Sequence, residues 1–151
     1  MNLRQNKHAF GFTLVELMVV AIIVAILAAV AIPLMSGNKK RAMCTEAETA
    51  LGAMRTQLRV MYAETGSYAT NQNGTVLNAA NSLWSVPGIT NTDFQGKYWN
   101  ANAYTFSAAP STLAGTNFVI QANGNTAGCD PSLNTVTITM DANGTIRRTG
   151  L

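Results

Sequence analysis

The sequence predicts an α+β fold: one long N-terminal α-helix whose second half packs under a roughly four-stranded antiparallel sheet. Three observations predict it. Nineteen residues from Leu17 to Met35 run without a polar interruption. An apolar stripe at alternating three- and four-residue spacing follows, from Cys44 to Met61. Near the C-terminus, short segments of alternating polarity are separated by turn residues.

The first element is the apolar run. No charge occurs between Glu16 and Lys39. As a helix rising 1.5 Å per residue the run spans roughly 28 Å, close to a hydrocarbon core of about 30 Å. A secretory signal peptide is the competing reading, but its apolar region is normally shorter, about 7–15 residues. Charge does not orient the span. Arg4 and Lys7 precede it and Lys39, Lys40 and Arg41 follow it. Counted alone, these place the C-terminal side in the cytoplasm. The Asn-, Thr- and Ser-rich remainder instead has the composition of an exported domain, so the two signals conflict.

The helix is expected to continue beyond the span. Cys44, Ala47, Leu51, Met54, Leu58 and Met61 form one stripe, and Glu46, Glu48, Arg55 and Arg59 fall off it. Gly66 is the expected stop, so the helix should cover about Phe12–Glu64. Residues 65–100 then read as a connection whose Leu83, Trp84, Ile89 and Phe94 fold onto the core, with a turn at Pro87-Gly88. Residues 101–151 hold the strands. Tyr104 and Phe106, then Phe118 and Ile120, then Val136, Ile138 and Met140 supply the inward faces, and Asn143-Gly144 turns the last hairpin back through Thr145–Arg148.

Composition limits the chemistry. The chain has 151 residues, 11% of them charged, and a net charge of +3. Removing Arg4 and Lys7 from its ten basic residues leaves eight against seven acids, so a nucleic-acid surface is weakly supported. The single histidine is His8. No metal-ligand cluster, phosphate loop or nucleophile–base set is visible, so no cofactor, metal or catalytic residue is expected. Asp141-Ala142-Asn143-Gly144 lacks the alternating acids of a calcium loop and reads as a turn.

The stretch Gly11-Phe12-Thr13-Leu14-Val15-Glu16-Leu17 resembles the processing site of type IV pilins, of the type IVa-like major kind, and of the related pseudopilins. The close resemblance covers residues 7–64 and includes Pro33; beyond it, only the architecture is similar. The resemblance implies that 1–11 is a leader removed by a prepilin peptidase on the cytoplasmic side. Cleavage would fall between Gly11 and Phe12, followed by N-methylation of Phe12. Residues 12–35 would be the transmembrane and fibre-core helix, 36–64 its amphipathic half, and 65–151 the globular domain. Glu16 would then meet the Phe12 amine of a neighbouring subunit. Physically this is consistent, since a carboxylate at the edge of hydrocarbon is costly, by about 2.5–3.5 kcal/mol on insertion scales, and needs a cation. Pro33 would mark the place where the helix, intact in the membrane, unwinds over Ala28–Pro33 in the fibre.

Export also places Cys44 and Cys129 in an oxidising compartment. A bridge between them would pin sheet to helix; two unpaired thiols are the alternative. Such a bridge departs from many family members, in which both cysteines lie near the C-terminus.

The resemblance thus implies a non-enzymatic subunit of a helical homopolymer serving adhesion, motility or DNA uptake. Its partners would be other copies of itself, the peptidase, an inner-membrane assembly platform and ATPase, the membrane before assembly, and surfaces or DNA as fibre ligands. It would be a single-pass inner-membrane precursor and then an extracellular fibre. Two alternatives stay open: a pseudopilin of a type II secretion or competence machine, and a membrane-anchored periplasmic binding module that never polymerises. The last would need neither Glu16 nor processing at Gly11.

Overall fold

The computed structural model describes residues 11–78 and 80–151; of the expected leader only Gly11 falls within them. Helix α1 spans Leu14–Thr65, with Pro33 inside it. The chain divides into two compact units, Met1–Gly37 and Asn38–Leu151, and α1 contributes to both.

In the first unit, every large apolar side chain from Leu14 to Met35 is exposed. An isolated helix that is apolar on all faces has no inside, so neither propensity nor patterning can bury it within a single chain.

The second unit contains the core. From Asn38 on, α1 buries Met43, Cys44, Ala47, Leu51, Met54, Leu58 and Met61. This is the predicted stripe plus Met43, and its spacing keeps those side chains on one helix face. The helix ends at Gly66, whose φ of +72° suits a residue without a Cβ; its N–H donates to the Tyr62 carbonyl at 2.8 Å.

The stripe packs under a four-stranded antiparallel meander: β1 (Tyr104–Ala108), β2 (Val119–Asn123), β3 (Thr137–Asp141) and β4 (Ile146–Thr149), in that spatial order. Register aligns two inward rows. One is Phe106–Ile120–Met140–Ile146; the other is Tyr104–Ala122–Ile138–Arg148. The second row is apolar until the edge strand, where Arg148 reaches over to α1 and pairs with Glu48, its Nη2 donating to Oε2 at 2.8 Å. An inward-pointing charge on an edge strand also disfavours pairing with a foreign strand. The last turn differs slightly from an Asn-Gly two-residue turn. It closes between Asp141 and Thr145, with Gly144 at φ +91° and its N–H donating to the Asp141 carbonyl at 3.0 Å.

The connection between helix and sheet is held more firmly than its composition suggests. Leu83 and Ile89 are fully buried, and Trp84 and Phe94 are half-buried. Two further residues, which the sequence reading did not single out, go deeper: Leu77 and Trp99 are both completely buried. The Trp99 indole N–H donates to the Met43 carbonyl at 2.9 Å. Glu46 Oε1 accepts from the backbone N–H groups of both Tyr98 and Trp99 at 3.0 Å. Gly96 lies so close that an added Cβ would meet this oxygen at 2.0 Å. Asn71, the buried polar residue of the core, organises the next loop: its Oδ1 accepts from Asn73 and Thr75, and its Nδ2 donates to the Ser85 carbonyl.

Cys44 and Cys129, for which a bridge was one expectation, are both free thiols in this structure. Cys44 is four residues before Glu48 on α1, near Arg148 of β4. The Cys129 Sγ accepts from the Asn100 N–H at 3.4 Å, and the next residue, Asp130, donates its N–H to the Tyr98 carbonyl. Burial pushes the Cys44 thiol up from its usual range, and the Glu48 charge adds to this. That disfavours the reactive thiolate.

Glu46 is the clearest test of this packing. Glu46→Ala leaves two partly buried N–H groups without their acceptor, which should cost about 2 kcal/mol or more of unfolding free energy. Glu46→Gln keeps the accepting oxygen and should lose much less. Urea unfolding of the detergent-solubilised chain measures both; equal midpoints for Ala and wild type would show that the connection is held by apolar packing alone.

Candidate functional site

The residues that the sequence marks for function cluster at the start of α1. Gly11 and Phe12 precede the helix, and the Phe12 side chain is 80% exposed. Thr13 is followed by the helical residues Leu14, Val15 and Glu16, and the Leu17 N–H makes the first long-range helical bond, to the Thr13 carbonyl at 3.3 Å.

Thr13 and Glu16 satisfy each other. The Thr13 N–H donates to Glu16 Oε2 at 2.8 Å, and the Glu16 N–H donates to Thr13 Oγ1 at 3.2 Å. The threonine hydroxyl also donates to Glu16 Oε2, at 2.7 Å. This is a reciprocal capping box, which gives partners to backbone donors that a helix start otherwise leaves open. The carboxylate also lies in the first turn, where the helix dipole favours a negative charge. Glu16 thus has a role at the helix start beside the expected charge pair, and Thr-x-x-Glu before an apolar run is its sequence signature. The arrangement leaves Glu16 rigidly placed one turn from Phe12. Among the described residues no cation is paired with it.

Pro33 lies within α1, and the helix continues through it from Ala28 to Met35. Its ring removes the donor that the Ala29 carbonyl would otherwise meet. Lys39, Lys40 and Arg41 follow on the same helix.

Two further acids, Asp130 and Asp141, serve turns. Asp130 Oδ1 accepts from the Ser132 N–H at 2.9 Å and from the Ser132 hydroxyl, and these bonds hold its carboxyl below the usual range. Asp141 Oδ1 accepts from the Thr145 N–H at 2.8 Å, with the same consequence. Each acid is thus committed to its own turn. Among the described residues no group of three or more His, Cys, Asp and Glu is placed to hold a metal. The arrangement is a capped apolar rod with a carboxylate placed at its tip.

Comparison with known proteins points to the same end of the chain. The family model described as the prokaryotic N-terminal methylation motif matches residues 6–32. The chain is 33% identical over 112 residues to a fimbrial protein of Neisseria meningitidis, covering 74% of this chain and 59% of that one. It is 40% identical over 70 residues to the type IV major pilin protein PilA of Myxococcus xanthus, 46% of this chain and 32% of the relative. It is 36% identical over 69 residues to the type II secretion system core protein G of Dickeya chrysanthemi, 46% of this chain and 45% of the relative. The chain therefore spans about half the length of the relatives it matches.

Proposed function

We propose that the chain is a member of the pilin and pseudopilin superfamily, a structural, non-enzymatic subunit that polymerises through the first part of α1 into a type IV pilus. The observation that carries this reading is the exposure of every large apolar side chain from Leu14 to Met35, directly behind the N-terminal methylation motif. Burying such side chains is worth about 1.5–3 kcal/mol each, which over this segment far exceeds the cost of one carboxylate at its edge. A bilayer satisfies that demand in the precursor, and packed helices of other copies satisfy it in a fibre. Among the described residues α1 is the one helix long and apolar enough to cross a membrane.

Cleavage between Gly11 and Phe12 by a prepilin peptidase would create an amine one turn from the placed carboxylate of Glu16. In a bundle of such helices the amine of one copy neutralises Glu16 of the next, and methylation leaves that amine able to hold its proton. The precursor sits in the inner membrane with its leader cytoplasmic, and an assembly platform and ATPase draw it into the fibre. A second reading, the pseudopilin of a type II secretion machine, is favoured by the similarity to core protein G. Fibres sheared from the cell surface support the pilus; subunits confined to the envelope support the pseudopilin.

Mass spectrometry of the mature chain should find N-methylated Phe12 at its terminus. A retained Met1, or cleavage after the apolar segment, would exclude the reading. Glu16→Ala should insert and be cleaved normally yet give few or no fibres, because removing one partner of a buried ion pair costs about 3–5 kcal/mol. Wild-type fibre yield would eliminate the charge pair.

For Pro33, we assign the segment Ala28–Pro33 a helical state in the free subunit and an extended one in the fibre. An extended residue spans up to about 3.3–3.6 Å against 1.5 Å in a helix, so unwinding adds reach where neighbouring axial rises must match. A fibre map resolving side chains decides this. An unbroken helix through Ala28–Met35 would leave Pro33 a kink only.

A further inference from the structure

Along α1 the unit Asn38–Leu151 has two flanks that differ in charge: one carries three arginines and Glu48, the other Lys39, Glu46 and Glu64. Arg41, Glu48, Arg55 and Arg59 recur at seven- and four-residue spacing and share one flank. That flank faces the β3–β4 hairpin, since Arg148 pairs with Glu48 and the Arg55 Nε–H donates to the Ala142 carbonyl at 2.9 Å. Arg41 and Arg59 are exposed and make no side-chain hydrogen bond or ion pair among the described residues. Glu46, Ala53, Gln57 and Glu64 share the other flank by the same spacing. It faces the connection, through Glu46 to Tyr98 and Trp99 and through Glu64 to Gln72.

On this second flank lies a cavity of about 290 Å³, lined among others by Glu46, Ala53, Asp93, Phe94, Gly96 and Tyr104. Glu46 Oε1 is occupied by its two backbone donors, while Oε2 makes no hydrogen bond among the described residues. Asp93 accepts from the Thr90 hydroxyl and is otherwise exposed. Phe94 and Tyr104 meet edge-on, with ring centroids 6.4 Å apart. Burial, and after it the negative charge of Glu46, raises the Tyr104 phenol well above its ordinary range. Two carboxylates beside aromatic faces are the surroundings that suit a planar guanidinium, through charge-assisted hydrogen bonds and cation–π contact.

We propose that this cavity receives an arginine from the opposite flank of a second copy of the chain, Arg41 or Arg59. The two flanks lie on different sides of one helix, so a copy cannot satisfy its own cavity. The contact is therefore heterologous, the kind that propagates into an open helical assembly instead of closing into a dimer. The inference rests on the reading of the chain as a polymerising subunit and adds to it a contact between globular units, distinct from the apolar segment and from Glu16.

The test uses cells making the full-length chain, with sheared fibres and membrane-held subunit both quantified. Asp93→Lys should lower fibre yield about tenfold or more at unchanged membrane level, because like charges facing each other across an interface cost several kcal/mol. The pair Arg41→Glu with Arg59→Glu should do the same, and all three substitutions together should restore most of the yield. A benzophenone amino acid at Thr49, on the cavity edge, should cross-link within fibres to a peptide of another copy that contains Arg41 or Arg59. This second readout decides the matter should Asp93→Lys reduce the subunit itself. Wild-type yield from Asp93→Lys at unchanged membrane level, failure of the triple variant to recover, or cross-links to other segments would overturn the contact while leaving polymerisation standing. Absence of fibres from the unaltered chain would take down both.

Discussion

Water and the first part of α1 cannot coexist for long. From Leu17 to Met35 the helix carries no polar side chain, and its large apolar side chains are all exposed. The hydrophobic effect is proportional to exposed apolar area and indifferent to direction, so this segment demands a surrounding medium and not a particular partner. Lipid meets the demand, and so do identical helices. A chain built on such a segment can move between membrane and polymer because both surroundings satisfy the same physical requirement.

Specificity must then come from the few polar features on the rod. Thr13 and Glu16 close the helix start reciprocally, which places a carboxylate in a defined position at the edge of the apolar surface. A carboxylate held this way can discriminate register between neighbours, something that Leu, Ile and Val side chains do poorly because they pack acceptably at many offsets. A single polar group fixing alignment in an apolar bundle is a general device.

The second unit solves a different problem. Its sheet is small, and its strands alone could not exclude water from both faces, so the helix stripe supplies the opposite wall. Three polar links hold the wall in place: Glu46 to the Tyr98 and Trp99 backbone, the Trp99 indole to the Met43 carbonyl, and Arg148 to Glu48. The first two secure the connection, and the third secures the edge strand.

Periodicity made much of this legible in the sequence. The stripe from Cys44 to Met61, most of the inward residues of β1, β2 and β3, the stop at Gly66 and the glycine of the last turn follow from local rules: 3.6 residues per helical turn, two per strand repeat, and positive φ where a Cβ is unwelcome. The N-terminal methylation motif is local too, and a dozen residues suffice to show it. What only the tertiary structure decided depends on which distant segments meet. Trp99 and Leu77 occupy the core from a stretch with no repeat to announce them. Cys129 lies against Asn100 of the connection, a placement no local pattern announces. The acidic, aromatic cavity joins Glu46 of α1 to Asp93 and Phe94 of the connection and Tyr104 of β1. A pattern within one element fixes which face is buried, but the placement of one element against another is set by packing across tens of residues, and no short window of sequence contains it.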